Sequence, residues 1–300
     1  MISPLISSLL LCLGVHQDGL RVFVEDPKKD LRILTKVEDA GSFRAAAGHL
    51  RFDVGQFPIL QKNSSGLQLS TDHLSGSYSA IPGGSYRIDS LLALGHAVLT
   101  YDSDVARNFQ IASGETPTGD PEAKTTLSTE SIDLKQKNSI QTLTLDKAFK
   151  MKDERSGTST EGPFNRSSEV TGNSGTFTFI TPMAPGRAKL STGEVDGPVH
   201  LHSTQISKEA ESMMFFGLSV PLIVPVTRVI DATGDHLSID MSKKEDQIVL
   251  LGHVVLHDSL WGTNYSDELK ATLDDAGSIV SIAADRLPKG GAVSRLGAKS

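Results

Sequence analysis

Between Ala232 and Ile282, apolar residues recur at every second position in short runs, and this period constrains the fold more than any other feature of the chain. Leu237, Ile239 and Met241 alternate with Ser238 and Asp240. Ile248 to Leu251 opens a second run, Val254 and Leu256 share a parity, and Leu269, Ala271 and Leu273 repeat the pattern. Successive side chains of a strand point to opposite faces, so such runs form half-buried strands. Ser242-Lys243-Lys244-Glu245-Asp246 supplies a polar turn between the first two. Gly252 interrupts the second run, and a glycine inside a strand pattern marks a bulge or sharp bend. The stretch predicts a β-meander bent at Gly252.

The same unit is echoed earlier in the chain. Thr71-Asp72-His73-Leu74-Ser75 matches Gly234-Asp235-His236-Leu237-Ser238, and Leu94-Gly95-His96-Ala97-Val98-Leu99 matches Leu251-Gly252-His253-Val254-Val255-Leu256. The two matches fall in the same order. Their spacing differs only by the loop around Ala80-Ile81-Pro82-Gly83-Gly84, where insertion costs little. A repeated β unit that cannot close its own apolar face stacks with its neighbours around one shared core.

These residues resemble the OstA-like repeat of the LptA and LptC proteins. The resemblance is carried by Gly234-Asp235-His236-Leu237, Val249-Leu250-Leu251-Gly252-His253-Val254-Val255-Leu256 and Ser266-Asp267-Glu268-Leu269. His253 stands where that family most often has Asn, and Gly234 and Ser266 where Ala is usual. The match covers about fifty residues, weakens over Leu67 to Thr100, and is a loose pattern of alternation plus one glycine. It implies an all-β fold: an elongated open β-jelly-roll (β-taco) of stacked antiparallel strands, in one trough or two consecutive units. It also implies an apolar trough that carries lipopolysaccharide acyl chains across the periplasm. The lining residues expected in the clearest unit are Leu237, Ile239, Ile248, Leu250, Val254 and Leu256. The implied partners are lipopolysaccharide or another acylated lipid, other Lpt-type envelope proteins reached through edge strands, and further copies joined head to tail.

Along the chain, Met1 to Gly14 holds an apolar run from Leu5 to Leu13, too short for a spanning helix of roughly 20 residues. It is expected to be a secretory signal peptide over 1–14, which makes the protein exported and periplasmic, with membrane association left open. Its removal would take with it Cys12, the one cysteine. An N-terminal β unit is expected over 17–150, starting with a hairpin around Asp26-Pro27-Lys28-Lys29-Asp30. Phe43 to Phe52 fits a short helix by its alanines and a strand by its frame; the strand is preferred. Leu127 to Phe149 gives two strands around Lys135-Gln136-Lys137-Asn138. The polar stretch 151–175 reads as a linker or long loop. A second β unit is expected over 176–286 and a flexible tail over 287–300. Within the second unit, Met213 to Ile230 is strongly apolar but holds Pro221 and Pro225, which exclude a regular helix or a central strand. It reads as irregular edge segments, or as an exposed apolar lip.

Composition excludes more than it assigns. A formal net charge of −7 and a pI near 5.7 argue against a nucleic-acid partner, because phosphate contact needs a basic face. No phosphate-binding Gly-Lys-Ser/Thr loop, Gly-x-Ser-x-Gly elbow or His-Glu-x-x-His motif is present. Neither a catalytic residue nor a cofactor is expected. His200 and His202 share a strand face, yet a metal site needs three or four converging ligands; they read as solvent-facing, opposite a Val199/Leu201 row. His73/His236 and His96/His253, at equivalent repeat positions, read as turn or bulge residues bonded to local backbone. Asp274-Asp275 and Glu245-Asp246 read as solvated turn residues. The leading expectation is a non-catalytic lipid carrier; an envelope scaffold without cargo is the alternative, and a metal enzyme at His200/His202 the least supported.

Overall fold

A computed structural model describes residues 21–25, 30–36, 41–46, 49–81, 85–116, 122–159, 162–180, 189–215, 218–242, 247–260, 262–273 and 279–286. The expected signal peptide and the expected tail lie outside these residues. The chain opens with β1 (Arg21–Glu25), β2 (Leu31–Thr35), β3 (Gly41–Ala46), β4 (His49–Val54), β5 (Ile59–Lys62), β6 (Leu67–Ser70) and β7 (His73–Ile81). β8 (Ser85–Asp102) leads through helix α1 (Ser103–Ala112) to β9 (Glu122–Lys137), β10 (Ile140–Leu145), β11 (Phe149–Ser159), β12 (Gly162–Gly172) and β13 (Ser174–Ile180). The last five strands are β14 (Lys189–Phe215), β15 (Leu218–Asp240), β16 (Gln247–Asp258), β17 (Gly262–Leu273) and β18 (Ile279–Arg286). All pair antiparallel in one continuous sheet, so the fold is all-β and jelly-roll-like.

Strand pairing divides this sheet into two leaves. Leaf I runs β1, β2, β5, β6, then the C-terminal part of β8 and the N-terminal part of β9, β11, β12 and the facing parts of β14 to β17. Leaf II runs β3, β4, β7, the other parts of β8 and β9, β10, β13, the remaining parts of β14 to β17, and β18. The long strands β8, β9 and β14 to β17 pass through both leaves. Their pairing registers shift between Leu94 and Ala97, Asp196 and Val199, Thr233 and His236, and Leu251 and Val254. Aligned bulges bend a sheet along a line, and here the line is the corner where leaf I turns into leaf II.

Burial follows from that bend. The inward rows of both leaves meet in one apolar core that includes Ile33, Leu60, Leu69, Leu127 and Leu256 from leaf I and Val54, Leu74, Leu143, Val195 and Leu250 from leaf II. Phe149 of leaf I meets Phe177 of leaf II edge-on, with ring centroids 6.0 Å apart, a favoured aromatic arrangement. Phe52 and Tyr78 stack at 5.4 Å within leaf II.

Two expectations need correction, and one element is new. The stretch 151–175 is no linker: β11 and β12 pair from Phe149↔Gly172 to Ser159↔Gly162 as a hairpin inside leaf I, so the expected boundary falls within the sheet. The stretch holding Pro221 and Pro225 lies at an edge as expected, but as regular strand rather than irregular segments. There β15 pairs with β14 alone from Leu218 to Val229, and an open edge tolerates residues without an N–H. Helix α1 was not anticipated from its mixed sequence; Asp102 caps it by accepting from the Asp104 amide at 2.9 Å.

Candidate functional site

The six expected lining residues all face the interior. Leu237 and Leu250 are 0% exposed, Val254 1%, Leu256 2% and Ile239 6%, while Ile248 is half-buried against the same core. Leu237, Ile239, Ile248 and Leu250 come from leaf II, Val254 and Leu256 from leaf I. The corner between them, at Gly252-His253, is what brings one strand's residues onto both walls.

The inward face of leaf I changes character with distance from the corner. Along β11, Phe149 and Met151 give way to Asp153 and Arg155. Along β12, Gly172 and Val170 give way to Ser168 and Arg166, and along β14, Val199 and Leu201 give way to Ser203 and Gln205. Along β15, Ala232 and Ile230 are followed by Arg228, and along β16, Val254 and Leu256 by Asp258. Cross-strand register sets Arg155 opposite Arg166, Arg166 opposite Gln205 and Gln205 opposite Arg228. Asp153 Oδ2 accepts from Arg155 Nε at 2.8 Å and lies 3.6 Å from Arg166 Nη2. Arg228 donates twice to Asp258 Oδ2, from Nε at 3.0 Å and Nη2 at 2.6 Å. Arg166 and Asp258 are both buried. The interior is therefore apolar at the corner and bears three arginines and two aspartates farther along leaf I. Sequence reading missed this row because its strands carry few large apolar residues, so no hydrophobic period marks them.

The corner is a second built feature. Gly95 and His96 both have positive φ (77° and 43°), and so do Gly252 and His253 (73° and 46°). His96 Nδ1 lies 2.8 Å from Asp72 Oδ2, and His253 Nδ1 lies 2.7 Å from Asp235 Oδ2. The hydrogen-bonding Asp carboxylate raises the pKa of each imidazole; more distant negative charge, from Glu130 at His96 and Asp267 at His253, adds to it. Gly197 (φ 94°) makes a third bulge, with Asn173 in the place of the aspartate. The equivalence of His96 with His253 thus holds in three dimensions, but their partners are carboxylates rather than backbone. His73 Nε2 reaches Asp53 at 2.7 Å, and His236 bridges Asp196 at 2.8 Å and Glu194 at 2.7 Å.

His200 and His202 lie on the outer face of leaf I, and His202 Nδ1 is 2.5 Å from Asp231 Oδ1. Among the described residues, no three His, Cys, Asp or Glu side chains converge as metal ligands. No described helix is long and apolar enough to cross a membrane. Compared with protein-family models, with curated proteins and with solved structures, the chain matches none.

Proposed function

We propose that this protein is a non-catalytic carrier or bridge for lipopolysaccharide or a similar acylated, anionic envelope lipid, held between the two leaves. The observation that supports this reading is the gradient along the inner face of leaf I, apolar at the corner and arginine-bearing away from it. It has the polarity of an acyl chain ending in a phosphate. Each methylene leaving water contributes about 0.8 kcal/mol, and sliding along an apolar wall exchanges one such contact for another. Guanidinium groups match phosphate oxygens two at a time. The reading carries with it export to the periplasm and cleavage of the N-terminal segment. Among the described residues, β1 and β3 border one end of the sheet, and β18 with the Gly262–Ser266 part of β17 the other. Such edges accept further strands, from Lpt-type envelope proteins or from a second copy.

The density of the core favours a second reading. On that reading, Val54, Leu69, Leu237 and Leu250, all at 0% exposure, fill the interior themselves, and the protein would serve as an envelope scaffold without lipid cargo. Native mass spectrometry after detergent-free purification from a diderm host, followed by organic extraction, separates the two. An acylated lipid bound near one per chain, lost in a still-folded Ile248→Asp and, at unchanged melting temperature, weakened in Arg155→Glu, supports the carrier. A lipid-free mass in protein that also refuses added lipopolysaccharide leaves the scaffold.

A further inference from the structure

The outer face of leaf II carries a site of a different kind. Between β3 and β9 this face is hollowed into a depression of about 520 Å³, within the size range of small-ligand sites. The hollow follows from a bulge: Ser77 pairs with Ser90 but Tyr78 with Ile88, so Asp89 is left over and the local twist rises.

Across its floor runs one row in register over five strands. Arg44 stands opposite Arg51, Arg51 opposite Ser77, Ser77 opposite Ser90 and Ser90 opposite Lys135. The Ser77 and Ser90 hydroxyl oxygens are 2.8 Å apart. A neighbouring row sets Ser42 opposite Asp53, Asp53 opposite Ser75, Ser75 opposite Leu92 and Leu92 opposite Asp133. Its two carboxylates are engaged, Asp53 with His73 at 2.7 Å and Asp133 with Lys135 at 2.6 Å. Arg44 and Arg51 are exposed and form no ion pair among the described residues. Like charges directly opposed on a sheet destabilise it, and on a chain of net charge −7 the pair is a local reversal of sign.

Two guanidinium forks side by side fit the oxygens of one phosphate dianion, and the serine hydroxyls beyond them can both donate to and accept from sugar hydroxyls. The wall behind the row is the core itself, with Phe52, Tyr78 and Leu91 buried. A ligand here therefore stays in water, on the side of leaf II away from the interior, and the site stands whether or not the interior holds lipid. We infer that this cleft binds a water-soluble phosphorylated saccharide, its phosphate between Arg44 and Arg51 and its hydroxyls on Ser77 and Ser90.

The test is calorimetric titration of the full chain, in phosphate-free buffer, with glucose 1-phosphate, inorganic phosphate and glucose. Glucose 1-phosphate is expected to bind about tenfold or more tighter than either half alone. Arg44→Ala with Arg51→Ala should remove that binding, Arg51→Lys should weaken it in part, and Ser77→Ala with Ser90→Ala should reduce glucose 1-phosphate to the level of inorganic phosphate. Equal affinity for inorganic phosphate, indifference to the double arginine variant, or no heat from any ligand overturns the assignment. Co-sedimentation with lipid A vesicles separates the two sources of a sugar phosphate. Arginine-dependent binding confined to vesicles, with none to soluble glucose 1-phosphate, also overturns it.

Discussion

Gly252 leaves open the space that the carboxylate of Asp235 fills: a Cβ built at Gly252 would lie 2.4 Å from Asp235 Oδ2. Gly95 stands in the same relation to Asp72, again at 2.4 Å. Each glycine also has φ above 70°, a region that side-chain-bearing residues enter at a cost. Steric and conformational demands thus coincide at both corner positions. Gly252→Ala is expected to destabilise the fold by about 1–3 kcal/mol. Combining it with Asp235→Ala should recover the steric part and leave roughly 1 kcal/mol of backbone cost. Urea unfolding of the two single variants and the double variant measures this, and strictly additive losses would remove the steric link.

The corner histidines give the fold a pH dependence whose sign is fixed. His96 and His253 have pKa values raised above the ordinary 6.5, each first by its hydrogen bond to an aspartate. A group whose pKa is higher folded than unfolded contributes stability that is complete below the unfolded value and lost as pH rises through the folded one. Stability from these pairs should therefore fall as pH climbs from about 6.5 through the raised values. NMR titration of the imidazole protons should place both residues above free histidine, with Asp72→Asn and Asp235→Asn returning them toward it. Unshifted titrations in the wild type would remove the pairs from solution.

The same corner explains how far the sequence could be read. In strands bent by a Gly-x bulge, inward residues keep their parity across the corner: Leu91, Ala93, then Ala97 in β8, and Leu250, then Val254 and Leu256 in β16. Parity counting therefore placed Ile248 to Leu256 on the right face, and the Gly-His pairs exposed the repeat. In the strands between, parity switches: Leu127 and Thr129 point inward before Glu130, Ile132 and Leu134 after it, and in β17 Ser266 gives way to Leu269 across Asp267. No glycine marks those switches. Over β11 and β12 the inward residues away from the corner are Asp153, Arg155, Arg166 and Ser168, so the hydrophobic period vanishes although the strands persist. Pairing with β9 and β14 on either side holds them in the sheet, and that long-range information is not local to 151–175.

Burial separates two of the lining residues sharply. Leu250 is fully enclosed while Ile248 is half-buried, so truncation should cost about 2–5 kcal/mol at Leu250→Ala and clearly less at Ile248→Ala. A charge at position 250 would be trapped in the core and unfold the protein, which makes Leu250→Asp unsuitable as a lipid-binding variant. Thermal melts of Leu250→Ala and Ile248→Ala decide the ranking. Equal losses would mean that the two leaves separate easily at Leu250.

The arginine row supplies the last expectation. Asp258 is 1% exposed and takes two hydrogen bonds from Arg228, while the Leu260 amide donates to its other oxygen at 2.8 Å. Removing the cation leaves a desolvated carboxylate whose remaining hydrogen bonds cannot replace a charge, a change that typically costs about 3–5 kcal/mol. Arg228→Met should therefore be strongly destabilising, whereas Arg228→Met with Asp258→Leu should regain most of the loss, since an apolar pair of similar volume avoids the desolvation penalty. If the row serves only the fold, the double variant keeps every property of the wild type. If it meets an anionic headgroup, the double variant melts normally but retains less lipopolysaccharide through detergent-free purification. Chemical denaturation and lipid extraction on the same preparations read the two effects separately.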